Sequence, residues 1–337
     1  MLNLITDLEG VRVGNAYDAE VATGVTVILF DGPTVASGVV RGGAPGSRDT
    51  ALLEPEMTRE AIDAVVLSGG SLFGLDAAGG VVSCLRDQGV GFRIGPVNIP
   101  IAVEAITFDL LNGGNKAWGQ KPPYWELGWL ATTAAEAGPF ALGTVGGGYG
   151  ATTATLKGGL GSVSMRTASG FTVGAIAVVN AVGTATIGDR PNFWAAPCEV
   201  GNEFGGLGMP GTLAPDDLRL RMKGGAPPPP STTIGLVACD AVLTKAQAKR
   251  IAIMADDGLA RAVRPAHAPM DGDTVFSVAT QRRPLRAGYE LQELTELGMA
   301  AGDCLARAIA RGVYEARALP FAGALPSWRD RFARPSP

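Results

Sequence analysis

Histidine is almost absent from this chain of 337 residues, and His267 is the single one. HExxH zinc sites and multi-histidine metal centres are therefore excluded, because each needs at least two imidazole ligands. A Ser-His-Asp triad would have to use His267, which stands just before Pro269 and is interpreted as a hydrogen-bonded structural residue. A hydrolase without a cofactor then needs a base other than imidazole.

Cysteine pairs, long apolar runs and excess basic charge are also missing. No stretch approaches the roughly 18 apolar residues of a membrane span, and the acidic N-terminus lacks the features of a secretory signal. A net charge of −4 with scattered Lys and Arg leaves no footprint for nucleic acid. We expect a cytoplasmic protein that binds neither membrane nor nucleic acid. Four widely spaced cysteines, without a CxxC pair, fit that reducing compartment: Cys84, Cys198, Cys239 and Cys304.

Glycine is abundant, with 48 residues, about twice the average share. The glycines separate segments of clear periodicity. This periodicity predicts strands at 24–30, 64–68, 162–167, 171–180, 184–187, 231–239 and 273–280. It predicts helices at 71–88, 125–137, 244–264 and 291–316, the first capped by Ser71 and the third opened by a capping box at Thr244. Helices covering both sides of packed sheets are one economical arrangement of these elements.

Two glycine-rich motifs resemble known sites but lack their defining residues. In GGSLFG at 69–74, Phe73 occupies the second glycine position of a GxSxG nucleophile elbow. GGGYGA at 146–151 lacks the helix and the acidic residue of a dinucleotide fingerprint. Lys157 lies too far from these glycines to form a Walker A loop. The sequence therefore predicts neither an α/β-hydrolase elbow nor a nucleotide site.

The junction at Ser231 and Thr232 carries the chemistry. Four prolines at 227–230 favour extended polyproline II and lead directly into a buried β-branched strand. Cleavage before Thr232 would expose a threonine whose α-amine, with a pKa of about 7.7–8.0, accepts the proton of its own hydroxyl. This would supply a base in a chain with one histidine. Chemistry alone leaves a one-residue ambiguity, since Ser231, Thr232 and Thr233 are three hydroxyl residues in a row.

The sequence resembles the P1 family of self-processing aminopeptidases, which comprises L-aminopeptidase/D-Ala-esterase/amidases, β-peptidyl aminopeptidases and nylon-oligomer hydrolases. The resemblance runs in order along nearly the whole chain. It is carried by LITD at 4–7, GVRVG at 10–14, TGVTV at 23–27, RGGAPGSR at 41–48, LSGGSLFGLDA at 67–77, FDL at 108–110, KGG at 157–159, TTIG at 232–235 and DGDT at 271–274.

This resemblance implies an α/β (α+β) fold, a four-layer αββα sandwich of the N-terminal-nucleophile hydrolase type. It implies one catalytic domain over residues 1–325, cleaved into fragments 1–231 and 232–337, which have 231 and 106 residues. Residues 326–337 are expected to form a basic, proline-bearing, solvated tail. The expected partners are short peptides, amides or esters. The family likeness suggests a homo-tetramer or larger assembly, with no metal or organic cofactor.

The resemblance also implies site residues. Thr232 corresponds to the nucleophile, and Asp271 and Asp273 match an acidic pair that anchors the ammonium and hydroxyl and passes protons. Lys157 would place positive charge near the nucleophile. The amide of Asn180 would donate to the tetrahedral oxyanion. The backbone of the 146–150 loop, including Gly147 and Gly148, would assist it.

Two departures from the family pattern bear on this assignment. Ser231 stands before the nucleophile, where relatives commonly have Asn or Gly, which bears on the rate and completeness of self-cleavage. Glu104, in an apolar stretch, matches a glutamate that holds the substrate amine in aminopeptidase members, and a structural ion pair would explain its burial equally well. The FDL motif at 108–110 resembles the nylon-hydrolase branch instead.

The favoured function is a self-processing aminopeptidase or amidase that works through an acyl-threonine intermediate. Two alternatives remain open. One is an acyltransferase like ornithine acetyltransferase, which also uses a self-exposed threonine. The other is an unprocessed binding or scaffold protein that has kept the fold.

Overall fold

The structure is a computed structural model that describes residues 1–224 and 229–332. Within these residues the strands are β1 (Val11–Asp18), β2 (Thr23–Val40), β3 (Ser47–Arg48), β4 (Ala61–Ser68), β5 (Phe92–Ile94), β6 (Val97–Ile99), β7 (Ala102–Ile106), β8 (Leu160–Arg166), β9 (Thr172–Asn180), β10 (Thr232–Ala241) and β11 (Thr274–Arg283). The α-helices are α1 (Ala77–Asp87), α2 (Tyr124–Thr133), α3 (Lys245–Ala262), α4 (Glu290–Tyr314) and α5 (Trp328–Phe332).

Strand β2 connects the two halves of the molecule. It is 18 residues long and pairs first with β4, from Val25, and then with β11, up to Val40. The hydrogen-bonded order is β3-β7-β4-β2-β11-β10-β9-β8, with β1 added to β2, while β5 and β6 form a separate pair. β2 is therefore shared by two sheet layers, one that contains β4 and one that contains β11, and it joins them into a continuous sheet.

Strand alternation divides the apolar side chains into three cores. In β4, Val65 contributes to the core between the two sheet layers, and Val66 to the core under α1 and α2. In β9, Val178 contributes to that same central core, whereas Val179 packs in the core under α3 and α4. Each sheet layer is thus covered by helices on one face and by the other layer on its second face. The predicted αββα sandwich is confirmed.

Local signals predicted some boundaries well and others poorly. The capping box is present, since Thr244 Oγ1 accepts from Gln247 N at 3.3 Å and Gln247 Oε1 accepts from Thr244 N at 2.8 Å. The predicted cap at Ser71 is wrong: Ser71 has a φ of 54° and begins a 3₁₀ turn, so that α1 begins only at Ala77. The segment 184–187 makes isolated bridges through Thr184 and Thr186 and forms no strand.

The expected solvated tail begins as packed structure. Trp328 in α5 is buried and stacks on Phe193, with ring centroids 6.0 Å apart. Its indole N–H also donates to Pro191 O at 2.9 Å, which ties the segment to the core under α4. Residues 333–337 of the tail lie outside the described residues, and so do residues 225–228, which include the first two prolines of the predicted polyproline segment. None of the helices in the described ranges combines the length and apolar character of a membrane span.

Candidate active site

Three chain segments meet where β10 begins. β10 runs parallel to β11, with Ile234 opposite Thr274, so the residues that precede both strands lie at the same sheet edge. β9 runs antiparallel to β10, and its last residue, Asn180, lies opposite Thr232. The topology therefore gathers the Ser231–Thr232 junction, the segment before β11 and the end of β9.

The peptide group between Ser231 and Thr232 is held tightly. Ser231 N donates to Met270 O at 3.1 Å, and Gly272 N donates to Ser231 O at 2.9 Å. The hydroxyl of Thr232 donates to the same carbonyl oxygen of Ser231. Both residues are buried. The hydroxyl thus lies against the carbonyl group that self-cleavage would attack.

The three adjacent hydroxyl residues have different surroundings. The Thr232 side chain shares a strand face with Ile234, which belongs to the core between the sheets. Thr233 lies on the opposite face of β10, and its hydroxyl has no hydrogen-bond partner among the described residues. The Ser231 hydroxyl donates to Pro229 O at 3.4 Å. Among the three, only the hydroxyl of Thr232 contacts the Ser231 carbonyl in the described residues, which favours Thr232 as the attacking residue.

The acid pair is close to this junction through its backbone and side chains. Asp273 Oδ1 accepts from Thr233 N at 2.8 Å, and Asp273 Oδ2 accepts from His267 N at 2.9 Å. Asp271 Oδ2 accepts from Ala268 N at 3.1 Å, while its buried Oδ1 has no partner among the described residues. Burial, followed by the charge of Asp273, raises the pKa of Asp271 to about 7. Asp271 can therefore exchange a proton near neutral pH.

His267 is a hydrogen-bonded residue, as predicted, but it belongs to the site. Its Nδ1 lies 3.0 Å from Asp273 Oδ2 and its Nε2 lies 3.3 Å from Asp256 Oδ2 on α3. Hydrogen bonds to Asp256 and then Asp273 raise the pKa of His267 to about 10. The imidazolium stays protonated at neutral pH, so it holds Asp273 in place and is no general base.

Asn180 is oriented by a lysine that the sequence analysis did not single out. Asn180 Oδ1 accepts from Thr152 N at 2.9 Å and from Lys223 Nζ at 3.0 Å, and Asn180 Nδ2 donates to Phe108 O at 2.9 Å. Two donors on Oδ1 determine which way the amide faces, and one N–H of Nδ2 remains. Burial lowers the pKa of Lys223 to about 7, against the charges of Asp271 and Asp109. In the sequence, Lys223 is marked only by its position four residues before the proline run.

Lys157 acts on the backbone around Asn180. Its ammonium donates to Gly148 O at 2.9 Å, Ala151 O at 2.7 Å and Gly158 O at 2.8 Å. These three acceptors use all three of its donors. Burial lowers the pKa of Lys157 to about 7. No hydrogen bond joins Lys157 to Thr232 within the described ranges, and its direct effect is on the backbone carbonyls that it holds.

The expectation that Gly147 and Gly148 offer free amides is wrong. Gly147 N donates to Thr26 Oγ1 at 3.0 Å, and Gly148 N donates to Val145 O at 2.9 Å. The 3₁₀ turn Gly146–Gly148 closes on itself and on β2, so both donors are already used. Gly148 contributes a carbonyl acceptor for Lys157 instead.

Glu104 is not brought to this cluster. It lies on β7 beside Val103 and Ala105, which face the core between the sheets, so its own side chain points toward α1. Its Oε2 accepts from Ala78 N at 3.2 Å, its Oε1 has no partner among the described residues, and burial raises its pKa well above the ordinary value. The alternative ion pair is also unformed among the described residues, where the nearby Arg48 donates to Leu75 O.

A cavity of about 330 Å³ opens beside the junction. Residues from the site and from the segment before the junction line it, among them Phe108, Asp109, Thr152, Lys223, Pro229 and Pro230. Across the described part of the chain, no group of three or more His, Cys, Asp or Glu residues is arranged to hold a metal ion. The site therefore offers a hydroxyl, a titratable carboxyl, an oriented amide and a small pocket.

Comparisons with known proteins cover most of the chain. The family model of peptidase family S58 matches residues 3–324. An uncharacterized aminopeptidase of Mycobacterium tuberculosis is 42% identical over 98% of this chain and 98% of its own. The 6-aminohexanoate-oligomer endohydrolase of Paenarthrobacter ureafaciens is 26% identical over 81% of this chain and 74% of its own.

Two solved structures share the fold. A Burkholderia β-aminopeptidase has a TM-score of 0.71 at 24% identity, covering 98% of this chain and 92% of its own. The L-aminopeptidase D-Ala-esterase/amidase of Ochrobactrum anthropi, described as a variant of the Ntn hydrolase fold, has the same TM-score and coverage at 21% identity.

Proposed function

Because the chain belongs to peptidase family S58 and is a hydrolase with an N-terminal-nucleophile fold, we propose that it cleaves itself before Thr232 and then works as an aminopeptidase or amidase. The observation that carries this proposal is the contact between the Thr232 hydroxyl and the Ser231 carbonyl, together with the β-bridge between Ser231 and Asp271, whose pKa is raised to about 7.

Self-cleavage begins at the hydroxyl of Thr232. Its Oγ attacks the carbonyl carbon of Ser231, while the Asp271 carboxylate accepts the hydroxyl proton. The bond between the Ser231 carbon and the Thr232 nitrogen breaks, and the nitrogen takes the proton, which leaves an ester. Water then hydrolyses the ester and releases the Ser231 carboxylate, so Thr232 keeps a free amine and a free hydroxyl.

Substrate turnover uses the same groups. The α-amine of Thr232, with a pKa of about 7.7–8.0, accepts the proton of Oγ as Oγ attacks a substrate carbonyl. The remaining N–H of Asn180 donates to the oxyanion, and Lys223 keeps that amide oriented. The leaving amine takes the proton, and water resolves the acyl-threonine. Asp273, held by His267, fixes the backbone beside the nucleophile through Thr233 N.

The substrates that we propose are short peptides, amides or esters. The cavity of about 330 Å³ is at the small end of ligand pockets and accommodates one or two residues. The likeness to a 6-aminohexanoate-oligomer endohydrolase supports linear amides as a second substrate class. Glu104 would bind a substrate amine only if the substrate reached the α1 side of β7. Its described hydrogen bond, from Ala78 N, does not support such an approach.

Fragment mapping tests the proposal directly. We expect denaturing electrophoresis of the purified protein to give two bands, and the smaller fragment of 106 residues to begin at Thr232 on N-terminal sequencing. Aminoacyl-nitroanilides supply the activity assay, and an added amine acceptor separates hydrolysis from acyl transfer. A single intact band with no hydrolysis would support the scaffold alternative and contradict self-processing.

We also propose a homo-tetramer or larger assembly. Exposed apolar side chains on neighbouring turns support it: Leu72 and Phe73 after β4, and Trp125 and Leu130 on α2. Static light scattering after size exclusion should give at least four times 34.4 kDa. The mass of a single chain at micromolar concentration would contradict this assembly.

A further inference from the structure

Gly272 lies between the two acids of the site and contacts the scissile peptide. Its N–H donates to the carbonyl oxygen of Ser231 at 2.9 Å. This carbonyl receives two donors, because the Thr232 hydroxyl also donates to it. A backbone N–H at this distance already occupies the position of an oxyanion donor.

The direction of this N–H is determined by the other end of the same peptide group. Asp271 O accepts from Ala44 N at 2.7 Å. Because the peptide unit of Asp271 and Gly272 is planar, fixing the Asp271 carbonyl also fixes the Gly272 N–H. The donor therefore needs no reorientation when charge develops on the oxygen.

Glycine at 272 is required by space and not by backbone conformation. Gly272 is not among the residues with positive φ. A Cβ at this position would lie 2.7 Å from Thr232 Oγ1 and 3.0 Å from Ala44 O. Any side chain would push against the attacking hydroxyl, so this position lets the backbone approach the nucleophile closely.

We propose that the Gly272 N–H is the oxyanion donor of the self-cleavage step, an inference that rests on the proposed cleavage before Thr232. As Thr232 Oγ bonds to the Ser231 carbon, the carbonyl electron pair moves to the Ser231 oxygen, where the Gly272 N–H stabilises it. The pair returns when the bond from carbon to Thr232 nitrogen breaks, and the nitrogen takes the proton that left Oγ. No other reactant is needed before water hydrolyses the ester.

An ester in place of one amide tests this donor. Glycolic acid at position 272, introduced by nonsense suppression during cell-free synthesis, removes the N–H and adds no side chain. We expect self-cleavage to slow about 100-fold, in line with the loss of one oxyanion donor. The matched control is glycolic acid at 43, because Gly43 N donates to Ala268 O at 3.3 Å in the same loop cluster and not to the scissile carbonyl. We expect the control to cleave within about 3-fold of the parent.

The proposal would be overturned if the chain with glycolic acid at 272 cleaved itself as fast as the parent. It would also be overturned if glycolic acid at 272 and at 43 slowed self-cleavage equally. An intact parent chain would contradict the proposed cleavage itself. A second measurement covers a 272 ester that does not fold: in the uncleavable Thr232→Ala chain, scalar coupling across the hydrogen bond should join Gly272 ¹⁵N to the Ser231 carbonyl ¹³C. Its absence in the folded chain would also overturn the proposal.

Discussion

We expect Thr232→Ala to abolish self-cleavage and to lower hydrolysis of aminoacyl-nitroanilides by at least about 10⁴-fold, the scale at which loss of a nucleophile acts. The variant removes the only hydroxyl that contacts the Ser231 carbonyl in the described residues. Without cleavage the chain also lacks the α-amine that turnover needs as a base. The measurements are fragment mapping and kcat/KM on the same purified sample.

Two neighbouring variants serve as controls. Thr232→Ser keeps both hydroxyl and amine, so we expect cleavage and activity within about 10-fold of the parent. Thr233→Ala removes a hydroxyl that has no hydrogen-bond partner in the described residues, and should leave both nearly unchanged. Cleavage of Thr232→Ala at residue 232 would contradict the nucleophile assignment. Loss of cleavage only in Thr233→Ala would move that assignment by one residue.

The second large effect is expected for Asp271→Asn. Its carboxyl is the group proposed to take the Thr232 proton before any α-amine exists, so we expect self-cleavage to slow about 10²- to 10⁴-fold. An asparagine retains the acceptor for Ala268 N, which limits structural damage. Asp63→Asn is the matched control, because burial also raises the pKa of Asp63, which accepts from Ile101 N away from the site.

The pH dependence distinguishes a proton acceptor from a structural carboxyl. Because the pKa of Asp271 is raised to about 7, its carboxyl is protonated below that pH and accepts no proton. The self-cleavage rate of the parent should therefore fall as the pH drops through about 7, and the remaining rate of Asp271→Asn should lack this step. Chains labelled in a short cell-free pulse and then shifted to buffers from pH 5 to 9 give the rates. A parent rate independent of pH would contradict the base assignment.

Much of the site could be located from the sequence, because its residues lie in short motifs that can be recognised without knowledge of the fold. Thr232 opens a β-branched strand after a proline run, and DGDT at 271–274 marks the acid pair. The structure brings both to one edge, together with Asn180. The prediction that Gly147 and Gly148 offer free N–H groups fails for a physical reason. A glycine run shows where the backbone can turn, and not whether its N–H groups are already hydrogen-bonded.

Lys223 and Gly272 were not predicted because their partners are distant along the chain. Lys223 is one of 28 basic residues, and it becomes distinct only through its contact with Asn180, 43 residues away. Glu104 shows the reverse case. A charge in an apolar stretch indicated a function, but strand alternation in β7 turns its side chain toward α1.

The sequence by itself determined the type and approximate extent of β4, of β8 to β11 and of the helices α2, α3 and α4, together with the capping box at Thr244 and the family. All of these depend on spacing within short segments. The tertiary structure alone decided which groups surround Thr232. The parallel pairing of β10 with β11 brings residue 272 against residue 231, and the antiparallel pairing of β9 with β10 places Asn180 opposite Thr232. Contacts of this kind depend on which strands pair with each other, and the periodicity within one strand does not encode its partner.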